Sequence, residues 1–478
     1  MACFNRLLLL VALPTLIVAC GAPPEEAAEE RPPNVLLLFV DDLRPELGCY
    51  GHPQVQSPHI DRLAAGGVLF ERAYCNIPVC GASRASLLTG VRPTRNRFLT
   101  YHTYADEDLP GVSCLPQHFK DHGYYTLSNG KVFHHQDDRA AAWDENWRPG
   151  VTTAWRDYQL PENIRRDTSG PTRGPAFEAA AVPDSAYFDG RIARKTVRDL
   201  QRLATGDQPF FLAAGFLKPH LPFNAPQQYW DRYPPELIRL PDNPLPPQGA
   251  PAAALHNSGE LRAYHDIPPQ GPVSEAMARN LIRGYYAAVS YTDAQVGLVL
   301  DELERLGLSE NTLVFLLGDH GWNLLEHGLW CKHSNFRTSL RTTLIARGPG
   351  ITAGGKAAGL VEFVDLYPTL CDLAGLPLPG HLDGASLRPQ LEDPNTPGKA
   401  RIIAKWHDGL TIKTDRYAYT EWSKRDSAVY ARMLYDHQTD LAENRNLADE
   451  PALQATIEGL RREMLEYRGE EYSADVRE

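Results

Sequence analysis

The sequence lacks a basic surplus, paired cysteines, internal repeats and any apolar run long enough to cross a bilayer. Its 478 residues carry 48 Lys and Arg against 60 Asp and Glu, a formal net charge of −12. Nucleic-acid binders show the opposite balance, so no nucleic-acid partner is expected. An anionic ligand would need a local cluster of Lys, Arg and metal. The eight cysteines are scattered, so no pair reads as a metal site, and their spacing assigns no disulfide. What is present is ordinary: 43% hydrophobic and 23% charged residues, in a length that holds one large α/β domain plus a smaller one.

The N-terminus reads as a targeting segment. Arg6 precedes an apolar run from Leu7 to Ala19, too short for a bilayer span of about twenty residues and suited to a signal-peptide core. Ile17-Val18-Ala19-Cys20 resembles a bacterial lipobox, whose cysteine is lipidated and becomes the new N-terminus. The alternative is a plain secretory signal with Cys20 incidental. Gly21 to Pro33, rich in Ala, Pro and Glu, has little to bury. The expected layout is a lipoprotein signal peptide at 1–20, a flexible tether at 21–33, a catalytic domain at 34–394 and a C-terminal subdomain at 395–478. The expected location is the periplasm or cell surface, with a lipid anchor in the outer membrane.

Beyond the tether, buried strands alternate with helices. Asn34 to Val40 is a continuous apolar run, the pattern of a strand buried on both faces, and it ends in Asp41-Asp42. Adjacent carboxylates repel unless hydrogen bonds or a cation hold them, and oxygen ligands favour a hard cation such as calcium or magnesium. A capping turn is the plainer account. Tyr124 to Ser128 is a strand leading to Lys131 and His134; Pro209 to Phe216 leads to Lys218 and His220; Thr312 to Leu317 leads to Asp319 and His320. In an open α/β sheet such strand ends share one edge, where ligands bind.

The rest of the chain supports this frame. Helices are expected near 57–65, 115–122, 185–204, 275–306 and 361–376, a loop over 137–173, and a Pro-rich surface insertion over 234–272. After a linker at 377–397, alternating runs between Ile402 and Trp422 and an amphipathic helix from Pro451 to Tyr467 make a subdomain. The expected fold class is α/β: a large mixed, mostly parallel sheet flanked by helices, with a smaller C-terminal α+β subdomain built on an antiparallel sheet.

The stretch from Pro78 to Gly90 sets Cys80 at or just before a helix N-terminus, where unpaired backbone N–H groups favour an anion. Cys80-x-Ala82-x-Arg84 with Thr89-Gly90 resembles the signature of the sulfatase family, in the alkaline phosphatase superfamily. Asp41-Asp42, Lys131 to His134, Lys218-Pro219-His220, Asp319-His320-Gly321-Trp322 and Lys332 extend the likeness over nearly the whole mature chain, closest to the branch acting on uronate 2-sulfates.

The resemblance implies that a formylglycine-generating maturation enzyme oxidises Cys80 to 3-oxoalanine, whose hydrate attacks the sulfur of a sulfate ester. It implies one Ca2+ per chain, held by Asp41, Asp42, Asp319, His320 and residue 80. Arg84 and Lys131 would steady the hydrate, with His134 its base. His220, with Lys218 and Lys332 nearby, would bind sulfate and protonate the departing sugar oxygen. Trp322 and His102 are candidate sugar contacts. The implied substrate is a sulfated carbohydrate, a uronate-containing polysaccharide or oligosaccharide carrying 2-O-sulfate. Gly81 departs from the residues more usual after the cysteine.

Two other readings stay open on the sequence. A phosphoester hydrolase of the same superfamily also handles a tetrahedral anion, usually with two transition metals and more His and Asp ligands. A non-catalytic lipoprotein that binds sulfated glycans would keep Cys80 as a thiol.

Overall fold

The apolar runs at Asn34–Val40, Phe210–Phe216 and Thr312–Gly318 lie side by side, all parallel, with Val40 level with both Phe216 and Gly318. Alternate residues face opposite ways. Leu36, Leu38 and Val40 enter one apolar core, and Val35, Leu37 and Phe39 the other, as the twofold side-chain period of a strand requires. Burial on both faces explains why these runs are apolar throughout.

This computed structural model describes residues 1, 31–150, 154–170, 172–424 and 428–475. The expected signal peptide and lipobox, and nearly all of the tether, lie outside the described residues. Among the described residues no helix is long and apolar enough to cross a membrane.

Among them the main sheet has nine strands. They run in the order Arg341–Thr342, Val68–Tyr74, Leu344–Arg347, Thr312–Gly318, Asn34–Val40, Phe210–Phe216, Tyr125–Gly130 and Glu145–Trp147, with Gly355–Glu362 also paired to Val68–Tyr74. Leu344–Arg347 and Arg341–Thr342 are antiparallel to their neighbours; the others run parallel. The sheet is therefore mixed and mostly parallel. The long helix Glu275–Arg305 begins at Ser274, whose side chain accepts from Met277 N, and buries its apolar stripe in the first of the two cores.

Within the unit Pro32–Glu478, the C-terminal residues form a four-stranded antiparallel sheet from Arg401–Trp406 through Val429–Asp436. Its own apolar cluster includes Ile403, Ile412, Tyr419, Ile457 and Met464.

Several expected elements differ. The helix expected over 361–376 starts later, at Leu366–Leu373. Gly355–Glu362 is instead a strand beside Val68–Tyr74, with Ala357, Leu360 and Val361 buried in the second core and Lys356 and Ala358 exposed. The loop expected over 137–173 holds the strand Glu145–Trp147 and the helix Pro161–Ser169. The insertion at 234–272 is not a surface feature throughout: Ile238, Leu261 and Tyr264 are buried.

Candidate active site

Four parallel strand ends deliver the site. Asp41 and Asp42 follow Val40, Lys131 follows Gly130, the segment from Leu217 to His220 follows Phe216, and Asp319 follows Gly318. Two of these ends cross so tightly that a Cβ at Gly215 would lie 2.1 Å from Lys131 O. Only glycine fits there.

Above the edge stands the helix Cys80–Thr89, every residue of it buried, with Cys80 as its first residue. It ends at Gly90 in the left-handed region, at φ 69°. Its first turn presents unpaired N–H groups toward residue 80. The departure at Gly81 has a steric cause. A Cβ there would lie 2.6 Å from Tyr101 O, because the backbone of the 100–102 loop lies directly on the helix start.

The acids and the thiol converge. The Cys80 sulfur is 3.2 Å from His320 Nε2 and 3.8 Å from Asp42 Oδ1. His320 Nε2 is 3.4 Å from Asp42 Oδ1 and 3.6 Å from Asp319 Oδ1. Asp42 takes up a left-handed backbone at φ 61°, strained for a residue with a Cβ. It is held so by Asp319 Oδ1, which accepts from its N–H at 2.9 Å, and by Tyr285, whose hydroxyl donates to its carbonyl at 2.7 Å.

Cations surround this acid core. Arg84, fully buried, donates to Asp319 Oδ2 at 2.9 Å and to Asp41 Oδ1 at 3.0 Å, and to the carbonyls of Lys131 and Val132. Lys131 donates to Asp41 Oδ2. Lys332 lies 3.2 Å from both Asp42 oxygens and 2.9 Å from Glu260 Oε1. Its neighbours Cys331 and His333 have φ of 69° and 67°, so the turn that aims it is strained on both sides.

Burial pushes the Asp41 carboxyl up, but Lys131 and Arg84 outweigh it and hold it well below the usual range. Asp42 is pushed up to about 7 by burial, against Lys332. Burial, and then Asp41, push the Cys80 thiol well above its ordinary value. As a thiol it is therefore protonated and a poor nucleophile.

His220 Nε2 is 3.2 Å from Glu260 Oε1, and its Nδ1 is 2.5 Å from Leu221 O. An oxygen faces each nitrogen, and the ionised Glu260 favours the protonated ring. Burial and then Lys332 draw its pKa down. A proton so placed is readily given up.

His134 Nδ1 is buried without a hydrogen-bond partner, and burial, followed by Lys131, keeps the ring neutral by holding its pKa far below the ordinary value. Arg148 binds the carbonyls of Gly130, Phe133 and His134 and shapes that turn.

The structure thus brings together Asp41, Asp42, Cys80, Arg84, Lys131, His220, Asp319, His320 and Lys332. It treats three expected sugar or sulfate contacts differently. Trp322 is 1% exposed and packs under Lys332, whose ammonium lies 4.8 Å from its ring centroid, so it has no open face for a sugar. Lys218 turns inward: its ammonium donates to the carbonyls of His220 and Pro222 at 2.8 and 2.6 Å, bracing the loop that carries His220. His102 is exposed on the 100–102 loop, its ring 4.0 Å from that of Tyr101.

Glu260 and Tyr285 were missed by sequence reasoning. Glu260 sits in a Pro-rich segment without periodicity, and Tyr285 reads only as one apolar position of a packing stripe.

The buried oxygens of Asp41, Asp42 and Asp319 lie within 4.8 Å of one another, as do ligand atoms of Asp42, Cys80 and His320. His320 Nδ1 faces Gly321 O at 2.9 Å, which leaves Nε2 to face the Cys80 sulfur and two carboxylate oxygens. Such a crowd of electron-rich atoms suits a cation, and the carboxylates suit a hard one.

Comparison with known proteins agrees with this geometry. The sulfatase family profile matches residues 33–376, and that of the N-sulphoglucosamine sulphohydrolase C-terminal region matches 325–470. Iduronate 2-sulfatase of Mus musculus is 33% identical over 521 aligned residues, covering 90% of this chain and 93% of that protein. Among solved structures, a phosphonate monoester hydrolase from Silicibacter pomeroyi superposes with a TM-score of 0.76 at 22% identity, covering 92% of this chain and 96% of the other. A 2-O GAG sulfatase superposes at 0.68 and 23%, covering 92% and 93%. These two superpositions speak for the fold, whereas the profile and the 33% relative reach further: the chain belongs to the sulfatase family of the alkaline phosphatase superfamily, and is a sulfuric ester hydrolase.

Proposed function

We propose that this enzyme removes 2-O-sulfate from a uronate-containing polysaccharide or oligosaccharide outside the cytoplasm, with residue 80 matured to formylglycine and one calcium ion bound. The observation that carries the reading is the convergence of Cys80, Asp42, Asp319 and His320, faced by Lys332 and by His220, whose Nε2 meets Glu260. The likeness to iduronate 2-sulfatase over most of both chains supports the uronate. The Cys20 lipobox supports export and anchoring.

Asp41, Asp42, Asp319 and His320 would hold the calcium, which would offset the repulsion of the buried acids and draw electron density from a bound sulfate. Residue 80, as a hydrated aldehyde, would supply one hydroxyl to attack sulfur and a second to expel sulfate. Arg84 and Lys131 fix the acids and keep positive charge beside residue 80. His134, kept neutral with a free buried Nδ1, offers a hydrogen-bond acceptor near Lys131, while a pKa held so far down makes it a weak base for the hydrate. Lys332 offers its charge to a sulfate oxygen. His220 gives its Nε2 proton to the departing sugar oxygen, and Lys218 holds the loop that aims it.

Mass spectrometry of the peptide around Cys80, after co-expression with a formylglycine-generating enzyme, is paired with sulfate release from a 2-O-sulfated uronate disaccharide. An aldehyde at residue 80 and release from the disaccharide are expected. Release from an aryl sulfate alone rejects the sugar assignment. Phosphate release outpacing sulfate release points to phosphoester chemistry, and a persistent thiol to a binding protein.

A further inference from the structure

A cavity of about 380 Å³ opens between the C-terminal sheet and the loop of residues 95–100, with Ile77, Arg95, Thr100, Lys405, His407 and Arg468 in its wall. In a chain of net charge −12, Arg95, Lys405 and Arg468 around one cavity stand out, set against the single acid Asp408 in the same wall. Lys405 is 8% exposed, and its ammonium donates to His407 O at 2.9 Å. Arg95 reaches Ser423 Oγ at 3.4 Å, and Arg468 lies 3.6 Å from Glu421.

Two stretches of chain link the cavity to the catalytic centre. Ile77 and Thr100 continue into Cys80 and into Tyr101, whose backbone lies on Gly81. On the other side the His407 ring is 4.1 Å from Trp406, and Trp406 is 5.1 Å from His333, the residue after Lys332. Tyr101, 53% exposed, and Trp406 offer aromatic surface between the two, which suits the apolar face of a sugar ring.

We propose that this cavity binds an acidic group, carboxylate or sulfate, on the sugar next to the one being desulfated, so that the enzyme selects a polyanionic chain over an isolated sulfate ester. The proposal rests on the sulfatase reading for turnover, but its binding step stands apart from it.

The test compares the wild type with R95Q and the charge-reversed R95E, each checked for an unchanged melting temperature. One readout is the ratio of kcat/KM on a 2-O-sulfated uronate tetrasaccharide to that on 4-nitrophenyl sulfate. The ratio is expected to fall about ten- to hundredfold, the weight of one hydrogen bond to a charged group, through KM, and further in R95E. The second readout is calorimetric binding of the same tetrasaccharide to the C80A protein, with and without R95Q, which needs no turnover. Weaker binding with R95Q is expected. Carboxyl-reduced and partly desulfated tetrasaccharides identify the group: the one whose removal abolishes the effect of R95Q is the ligand. Equal binding with and without R95Q overturns the proposal. Failure of the wild type to release sulfate from the tetrasaccharide while R95Q still weakens binding sinks the uronate 2-sulfate reading and leaves the pocket standing.

Discussion

The Nε2 atom of His320 lies 3.2 Å from the Cys80 sulfur, across 240 positions of sequence. Because Nδ1 is committed to Gly321 O, Nε2 is the nitrogen turned to the site, and it shares its space with oxygens of Asp42 and Asp319. A bound hard cation relieves this contact, and it binds the folded state only. Calcium is therefore expected to raise the melting temperature, by a stabilisation of about 2.7 kcal/mol at a hundredfold excess over Kd. Chelation is expected to reverse the gain and stop sulfate release. Differential scanning fluorimetry on the wild type and D319N checks it: D319N is expected to lose the calcium response.

Cys80 is the first residue of a fully buried helix, yet its thiol holds no helical hydrogen bond that alanine would lose. C80A is expected to fold, with a stability change of about 1 kcal/mol, and to lose sulfate release by about 10⁴- to 10⁶-fold, the range found when a covalent nucleophile is removed. Stopped assays of sulfate release together with thermal melts check both halves.

Glu362, buried at the end of its strand, ties the two sheets together. It accepts from Arg92, from Lys399 at 2.7 Å, from Asn76 at 3.1 Å and from the backbone of Ile403 at 2.7 Å. Burial pushes its carboxyl up, but Arg92 and Lys399 outweigh it and bring it down to about 2, from 4.5. A carboxyl depressed in the folded state stabilises fully above its unfolded value and loses that contribution as pH falls toward the folded one. E362Q is expected to cost about 1–3 kcal/mol at neutral pH, because partly buried Arg92 loses its carboxylate while Lys399 keeps Asp365. Melts of both proteins across pH check it. The gap is expected to hold above pH 4.5 and to narrow between there and about 2.

Three of the strands that build the site were legible because burial on both faces leaves a continuous apolar run that ends close to a charged residue, whereas Tyr125–Gly130, with Thr126, Ser128 and Asn129, showed only as the segment after a helix ending at Gly123. Asp41, His220 and Asp319 could be placed on one edge from that pattern. Gly355–Glu362 was not legible. Its polar start reads as a loop and its apolar end as the first turn of a helix, and pairing with Val68–Tyr74 decides the matter. Trp322 looked like a sugar platform because it follows Asp319-His320-Gly321. Only the fold shows Phe223 and Lys332 enclosing it.

Glu260 shows what such long-range contacts hide, and it carries the last prediction. Its Oε1 receives both His220 Nε2 and Lys332 Nζ, at 3.2 and 2.9 Å. Burial and Lys332 lower the His220 pKa, while Glu260 raises it. E260Q removes the raising influence and keeps an oxygen for Lys332. The imidazolium is then expected to lose its proton at lower pH, so the alkaline limb of kcat/KM moves to lower pH, because His220 must be protonated to act on the leaving oxygen. Sulfate release is expected to fall about tenfold on that limb, the weight of one hydrogen bond to a charged group, and to approach the wild type on the acid side. A pH profile of kcat/KM on a sulfated sugar checks it. A loss of equal size at every pH means that Glu260 only props the segment around Lys332 and that the proton comes from elsewhere.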